Sequence, residues 1–243
     1  MDNANTSVED GGLSHRGEIV NYDSFLELLK NRRSIRAFKK DPVPDSSVRQ
    51  IAESVCWAPS GMNTQPWEVV VVKKQVLKDE ITALVQGEFK KIMGKMPPMP
   101  PPQLKPGQKA PSPTGFADAP IFILLFGDTR IRDFGPPMGE ERWVTLFAAD
   151  LTLGFHNMLL AASTLGLGAQ WVSMVANPEL APKINHLLGV PDCMKLFGMI
   201  ALGYPDMEPM PKKMRSLDKM IHYDECTESD FRTLDEVKAF FTP

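Results

Sequence analysis

A chain of 243 residues that is 43% hydrophobic and 23% charged has the make-up of a soluble globular protein, long enough for one large domain or two small ones. Its formal net charge of −3 argues against nucleic acid or an anionic membrane as the main partner. Three cysteines without a CxxC pair and four scattered histidines make neither a disulfide framework nor a metal site, so a reducing, cytoplasmic setting is expected.

Residues 1–20 are polar, lack an apolar signal-like core and read as a flexible arm. Phe25, Leu28 and Leu29 then space a short helix that runs into "NRRSIRAF", three arginines within five positions. Such a cluster is either a solvated surface patch or an anion site. A second helix comes next, capped by Asp45 or Ser46, with Val48, Ile51, Ala52 and Val55 on one face and Pro59 as its stop. The loop "APSGMNTQPWE" (58–68) offers backbone N–H groups, a hydroxyl and an amide, or is an ordinary turn. "WEVVVV" predicts a buried strand, and Leu77, Ile81, Leu84 and Val85 space a third helix.

The stretch 96–115 is too rich in proline for a helix interior or central strand, and reads as an insertion within one domain. "IFILLFGD" predicts another buried strand. The longest apolar run, 143–172, carries Asp150, His156 and Asn157, which are costly in lipid, so a buried helix over 140–167 is expected instead of a membrane span. This helix is apolar nearly all round, and core hydrogen bonds are the expected fate of His156. "AQWVSMV" and "CMKLFGMIALGYP" read as strands, with a short helix between them that has Pro178 near its first turn. A last amphipathic helix falls near 233–241. The elements indicate an α+β or mixed α/β class, one sheet with flanking helices.

"GLGAQW" (166–171) is no dinucleotide fingerprint, because its glycines follow a helix and precede a strand. The order RRSxR, PSGxNxQPW, GLGxxW, then GYP with a downstream KxR instead resembles the nitroreductase-like flavoproteins over roughly residues 22–223. The resemblance implies an α+β fold with a central, mostly antiparallel sheet in an intertwined homodimer that binds FMN at its interface. It implies one domain over 21–243, a Pro/Met-rich lid at 96–115 and a C-terminal extension (204–243) wrapping the partner subunit.

The resemblance also assigns roles. Arg32 and Ser34 would meet the phosphate and ribityl chain, and Arg33 would share that task or point at neighbouring backbone. Arg36 would lie near the flavin N1–C2=O edge, where a fixed positive charge favours the reduced form. Pro59, Ser60, Gly61 and Asn63 would reach the flavin from the other subunit, Gln170 and Trp171 would sit beside the pyrimidine edge, and Lys213 (or Lys212) with Arg215 would close over the phosphate. The implied reaction is hydride transfer from NADH or NADPH to FMN, then reduction of a small flat acceptor such as a nitroaromatic or quinone. The alternatives are a reductive dehalogenase-like flavoenzyme and a non-catalytic flavin binder whose lid blocks the ring.

Overall fold

The computed structural model describes residues 21–95, 114–135, 137–209 and 212–241. The N-terminal arm and most of the lid segment, Met96 and Met99 included, lie outside the described residues. Residues through Glu208 form one compact unit, and those from Pro209 a second.

In the larger unit, α1 (Tyr22–Asn31), α2 (Asp45–Glu53), β1 (Trp67–Val72), α3 (Gln75–Met93), β2 (Ile121–Asp128), α4 (Glu140–Thr164), β3 (Gly168–Val172), α5 (Ala181–Leu188) and β4 (Met194–Gly203) succeed one another in chain order. The sheet runs β1-β2-β4-β3, with every neighbouring pair antiparallel. This is the expected α+β architecture. β2 is buried along its length because it faces two cores. Ile121, Ile123 and Leu125 pack towards α2 and α4, while Phe122, Leu124 and Phe126 pack with residues of α3 and α5.

On the neighbouring strand β4 a β-bulge interrupts the alternation, for Leu125 pairs with Gly198 and Phe126 with Leu196. The skipped Phe197 turns to the α4 side, while Leu196 and Met199 face the same core. β1 departs from the buried strand expected. It is an edge strand with Glu68 exposed and Val69 to Val71 only partly covered, since a valine run does not report how many neighbours its strand will have.

Several ends differ from their sequence signals. Pro44, without a side-chain bond, caps α2, while the Asp45 carboxylate pairs with Lys73. α5 begins at Ala181 with Pro182 in its first turn, because Asn177 O already accepts from Leu180 N–H at 2.8 Å in a preceding turn. α4 ends at Thr164, three residues before the expected 167, with Gly166 beyond it left-handed at φ +68°. It is the one described helix long and apolar enough to cross a membrane, yet eight of its residues, from Phe147 to Ala162, are buried in the protein. Its outer face is open, with Leu146 and Leu153 about 40% exposed.

Candidate functional site

The arginine segment begins where α1 stops. Arg32 turns extended (φ −62°, ψ 122°), and its N–H donates to Leu28 O at 3.0 Å. Arg33 folds back, donating from Nη1 to the carbonyls of Lys30 and Arg32, where orphan acceptors and the negative helix pole favour a cation. Beyond it, Ser34 bridges Ala169 on the free edge of β3, and Ile35 N–H donates to Ala169 O at 3.0 Å. Phe38 bridges Pro205, while Lys39 N–H and Asp206 N–H tie the segment to Tyr204 and Ala37 carbonyls, each at 2.9 Å.

Buried Ile35 and Phe38 clamp this stretch from below, and glycines let it sit close. A Cβ on Gly168 would stand 2.9 Å from Ile35, and one on Gly115 only 1.8 Å from Arg36 O. Arg32 and Arg36 are half-buried, and among the described residues no carboxylate pairs with either guanidinium. Two fixed positive charges without acid partners are the electrostatic signature of this edge.

Gln170, one residue beyond Ala169, is buried at 7% exposure, and its side-chain Oε1 has no partner among the described residues. Such an oxygen needs a donor to offset its desolvation. Gln170 is one of the residues lining a cleft of about 440 Å³, with Phe89, Thr114, Phe116, Ser173 and Met174. Ser173 and Met174 are not among the sequence-based site residues, because the sequence reads as strand through them, whereas β3 ends at Val172 and Ser173–Ala176 turn away as a 3-10 helix. Trp171 points to the other face of β3, its ring 4.8 Å from Phe155 and 5.7 Å from Phe197.

The loop after α2 holds Pro59, Ser60, Gly61 and Asn63. Ser60 Oγ accepts from Gln65 N–H at 3.0 Å, so its hydroxyl keeps its own proton to donate. Gly61 N–H donates to Asp150 Oδ1 at 3.0 Å. The loop thus rests on the middle of α4, whereas Arg32 lies near His156, six residues or about 9 Å further along that helix. Contrary to the expected core role, His156 is exposed. Partial desolvation, then the Arg32 charge, lowers its imidazole pKa. Lys213 and Arg215 belong to the C-terminal unit, where Lys213 Nζ donates to Phe240 O at 2.8 Å and Arg215 Nη2 to Lys219 O at 3.2 Å.

Burial pushes the Asp150 carboxyl above its usual range, and the Gly61 N–H draws it back in part. The native state therefore holds this proton to higher pH than the unfolded chain does. Stability falls as pH climbs from the ordinary aspartate value of about 4 through the raised one, then levels. Asp150→Asn does not titrate, so its stability relative to wild type should rise across that window and stay flat above it. Urea midpoints at a series of pH values measure this, and a difference independent of pH would contradict it.

A model described as the Nitroreductase family matches residues 29–204. The chain is 29% identical over 216 residues to an NADH dehydrogenase of Thermus thermophilus, covering 78% of this chain and 91% of that one. It is 32% identical over 183 residues to an iodotyrosine deiodinase of Drosophila melanogaster, covering 74% of this chain and 61% of that one. Among solved structures, an NADPH:FMN oxidoreductase from Vibrio harveyi complexed with NAD+ superimposes with a TM-score of 0.66 at 21% identity, over 88% of this chain and 82% of that one. A nitroreductase with bound FMN from Bacteroides fragilis gives 0.60 at 23% identity, over 82% and 98%. At such identities the superpositions speak for the fold.

Proposed function

The chain belongs to the Nitroreductase family, and from that membership we propose that it is an FMN-dependent, homodimeric NAD(P)H oxidoreductase. One observation carries the cofactor reading. Two half-buried arginines, with no carboxylate partner among the described residues, flank the Ser34–Ile35 stretch that joins the edge of β3 at Ala169, and the next residue of that strand, Gln170, has a buried oxygen with no partner among the described residues. That edge asks for an anion that also carries an N–H, and FMN has both in its phosphate and its pyrimidine ring.

FMN, when bound, supplies hydride uptake from NADH or NADPH and hydride delivery to the acceptor. The chain's part is binding, orientation and charge. Arg32 and Ser34 take the phosphate and ribityl end, because a guanidinium fork holds phosphate oxygens bidentately at any working pH. Arg36 supplies positive charge to the pyrimidine edge. Gln170 accepts from the ring's N–H, with Trp171 on the same strand. Arg33 keeps its backbone role. Pro59, Ser60, Gly61 and Asn63 serve the flavin of the second subunit, a reading supported by the distance along α4 between their loop and Arg32. The uncovered apolar side chains Trp57, Met62, Leu146 and Leu153 support the dimer. Free cysteines support a cytoplasmic setting.

The acceptor we favour is a small flat aromatic, a nitroaromatic or quinone. The 32% identity to an iodotyrosine deiodinase favours a second reading, reductive dehalogenation of an aryl halide. The purified protein should be yellow, and should bleach on mixing with NADH or NADPH without oxygen. Reoxidation by menadione, a nitroaromatic or iodotyrosine then distinguishes the acceptors. Flavin that stays oxidised with both donors would favour a binder without turnover, and a protein that takes up no FMN would overturn the reading.

A further inference from the structure

Asp150, Gly154 and Asn157 stand at i, i+4 and i+7 on α4 and therefore share one face. Residues 54–61 lie along this face. At one end, Asn157 Nδ2 donates to Ser54 O at 3.2 Å. In the middle, a Cβ on Gly154 would stand 2.6 Å from Val55 Cγ2 and 3.9 Å from Ala58 Cβ, so the absence of a side chain there sets how closely the segment approaches. At the other end, the Asp150 carboxylate, 7% exposed, accepts from Gly61 N–H. Two polar contacts two helical turns apart, with a glycine between them, fix both the height and the register of the segment.

The backbone just past Gly61 needs such a hold. Met62, Asn63 and Gln65 have φ of +54°, +56° and +45°, a left-handed conformation that residues with a Cβ seldom adopt. Three of them within four positions persist only where the surroundings over-determine the backbone. The loop's own bonds, Asn63 N–H to Ser60 O and Gln65 N–H to Ser60 Oγ, close the turn but do not attach it to the protein. The Gly61–Asp150 bond does.

We infer that Asp150 is a positioning residue, the anchor from α4 that holds the left-handed loop 60–65 in the conformation that presents Ser60 and Asn63 to the flavin. This rests on the flavin reading above. Asp150 acts through Gly61 and is assigned no contact with the cofactor. An amide oxygen can take over its acceptor role, and a hydrocarbon cannot.

The test uses the full chain, with FMN as the probe. Asp150→Leu should speed amide exchange in the peptide spanning residues 58–66, even without FMN. It should also weaken FMN binding about tenfold or more and alter the visible circular dichroism of the bound flavin. Asp150→Asn should restore all three to near wild type. Gly154→Ala leaves both polar partners in place and lifts the segment, so it should reproduce the FMN defect if Asp150→Leu does not fold. Loop exchange, FMN affinity and flavin spectrum all unchanged in Asp150→Leu would overturn the inference. So would faster exchange with unchanged affinity and spectrum. Wild-type protein that takes up no FMN would overturn the flavin reading and this inference with it, an outcome distinct from equal uptake by wild type and variant.

Discussion

Gly115→Ala is expected to destabilise the protein by about 3 kcal/mol or more, a fall of roughly 6–12 °C in melting temperature, and to weaken FMN binding at the same time. The added Cβ would stand 1.8 Å from Arg36 O and 2.9 Å from its carbonyl carbon, so backbone and not a pliable side chain must move. Room is scarce on either side. Phe116 is 1% exposed, and Ile35, the residue before Arg36, is wedged against Gly168. Relief by shifting residues 34–38 would break the Ile35–Ala169 and Lys39–Tyr204 bonds that seat the segment. Fewer accessible unfolded conformations would offset only about 0.4–1 kcal/mol of this. Gly87→Ala is the control, since a Cβ there meets nothing within 4 Å on an exposed turn of α3. It should stabilise by up to about 1 kcal/mol. Thermal melts of both variants decide the matter, and equal melting temperatures would refute the close approach.

Arg36→Ala should leave the fold intact and impair chemistry. The Arg36 backbone N–H meets Met207 Sδ at 3.1 Å, but no side-chain bond of its guanidinium is seen among the described residues. Stability should therefore change by no more than about 0.5 kcal/mol. If its charge faces the edge of the flavin that becomes negative on reduction, its loss should lower the flavin midpoint potential and slow anaerobic reduction by NADH or NADPH about 100-fold. Arg36→Lys should recover part of the rate, because it keeps the charge but not the planar fork. Stopped-flow bleaching of the oxidised flavin's visible absorption band and a reductive titration would measure both effects. A wild-type rate in Arg36→Ala would remove Arg36 from the electrostatic role and leave it, at most, a part in binding.

Much of the fold was legible because local chemistry and tertiary context agree. The helical spacing of α3, the continuous apolar run of β2 and the start of α4 at residue 140 all appear where the sequence put them. Disagreements arise where one pattern serves two environments. The valines of β1 look like those of a central strand, but only sheet order tells an edge from a centre. His156 sits in an apolar run yet on the outer face of α4, because the run is broader than the stripe that one core covers. The arginine cluster was visible as charge, but the turning back of Arg33 onto α1 depends on carbonyl positions that only the helix end creates.

The sequence by itself determined the class of the fold, the arginine segment and the polar loop. Each depends on residue type and short-range spacing. Only the tertiary structure decided that the edge of β3 seats the arginine segment, that Gln170 is buried with no donor among the described residues and that Asp150 meets Gly61. The contacts at the β3 edge and at Asp150 join residues far apart in the chain, and no local period encodes them. They exist because burying both faces of one sheet brings α4, β3 and two early loops together, where desolvation favours the polar groups that find a partner.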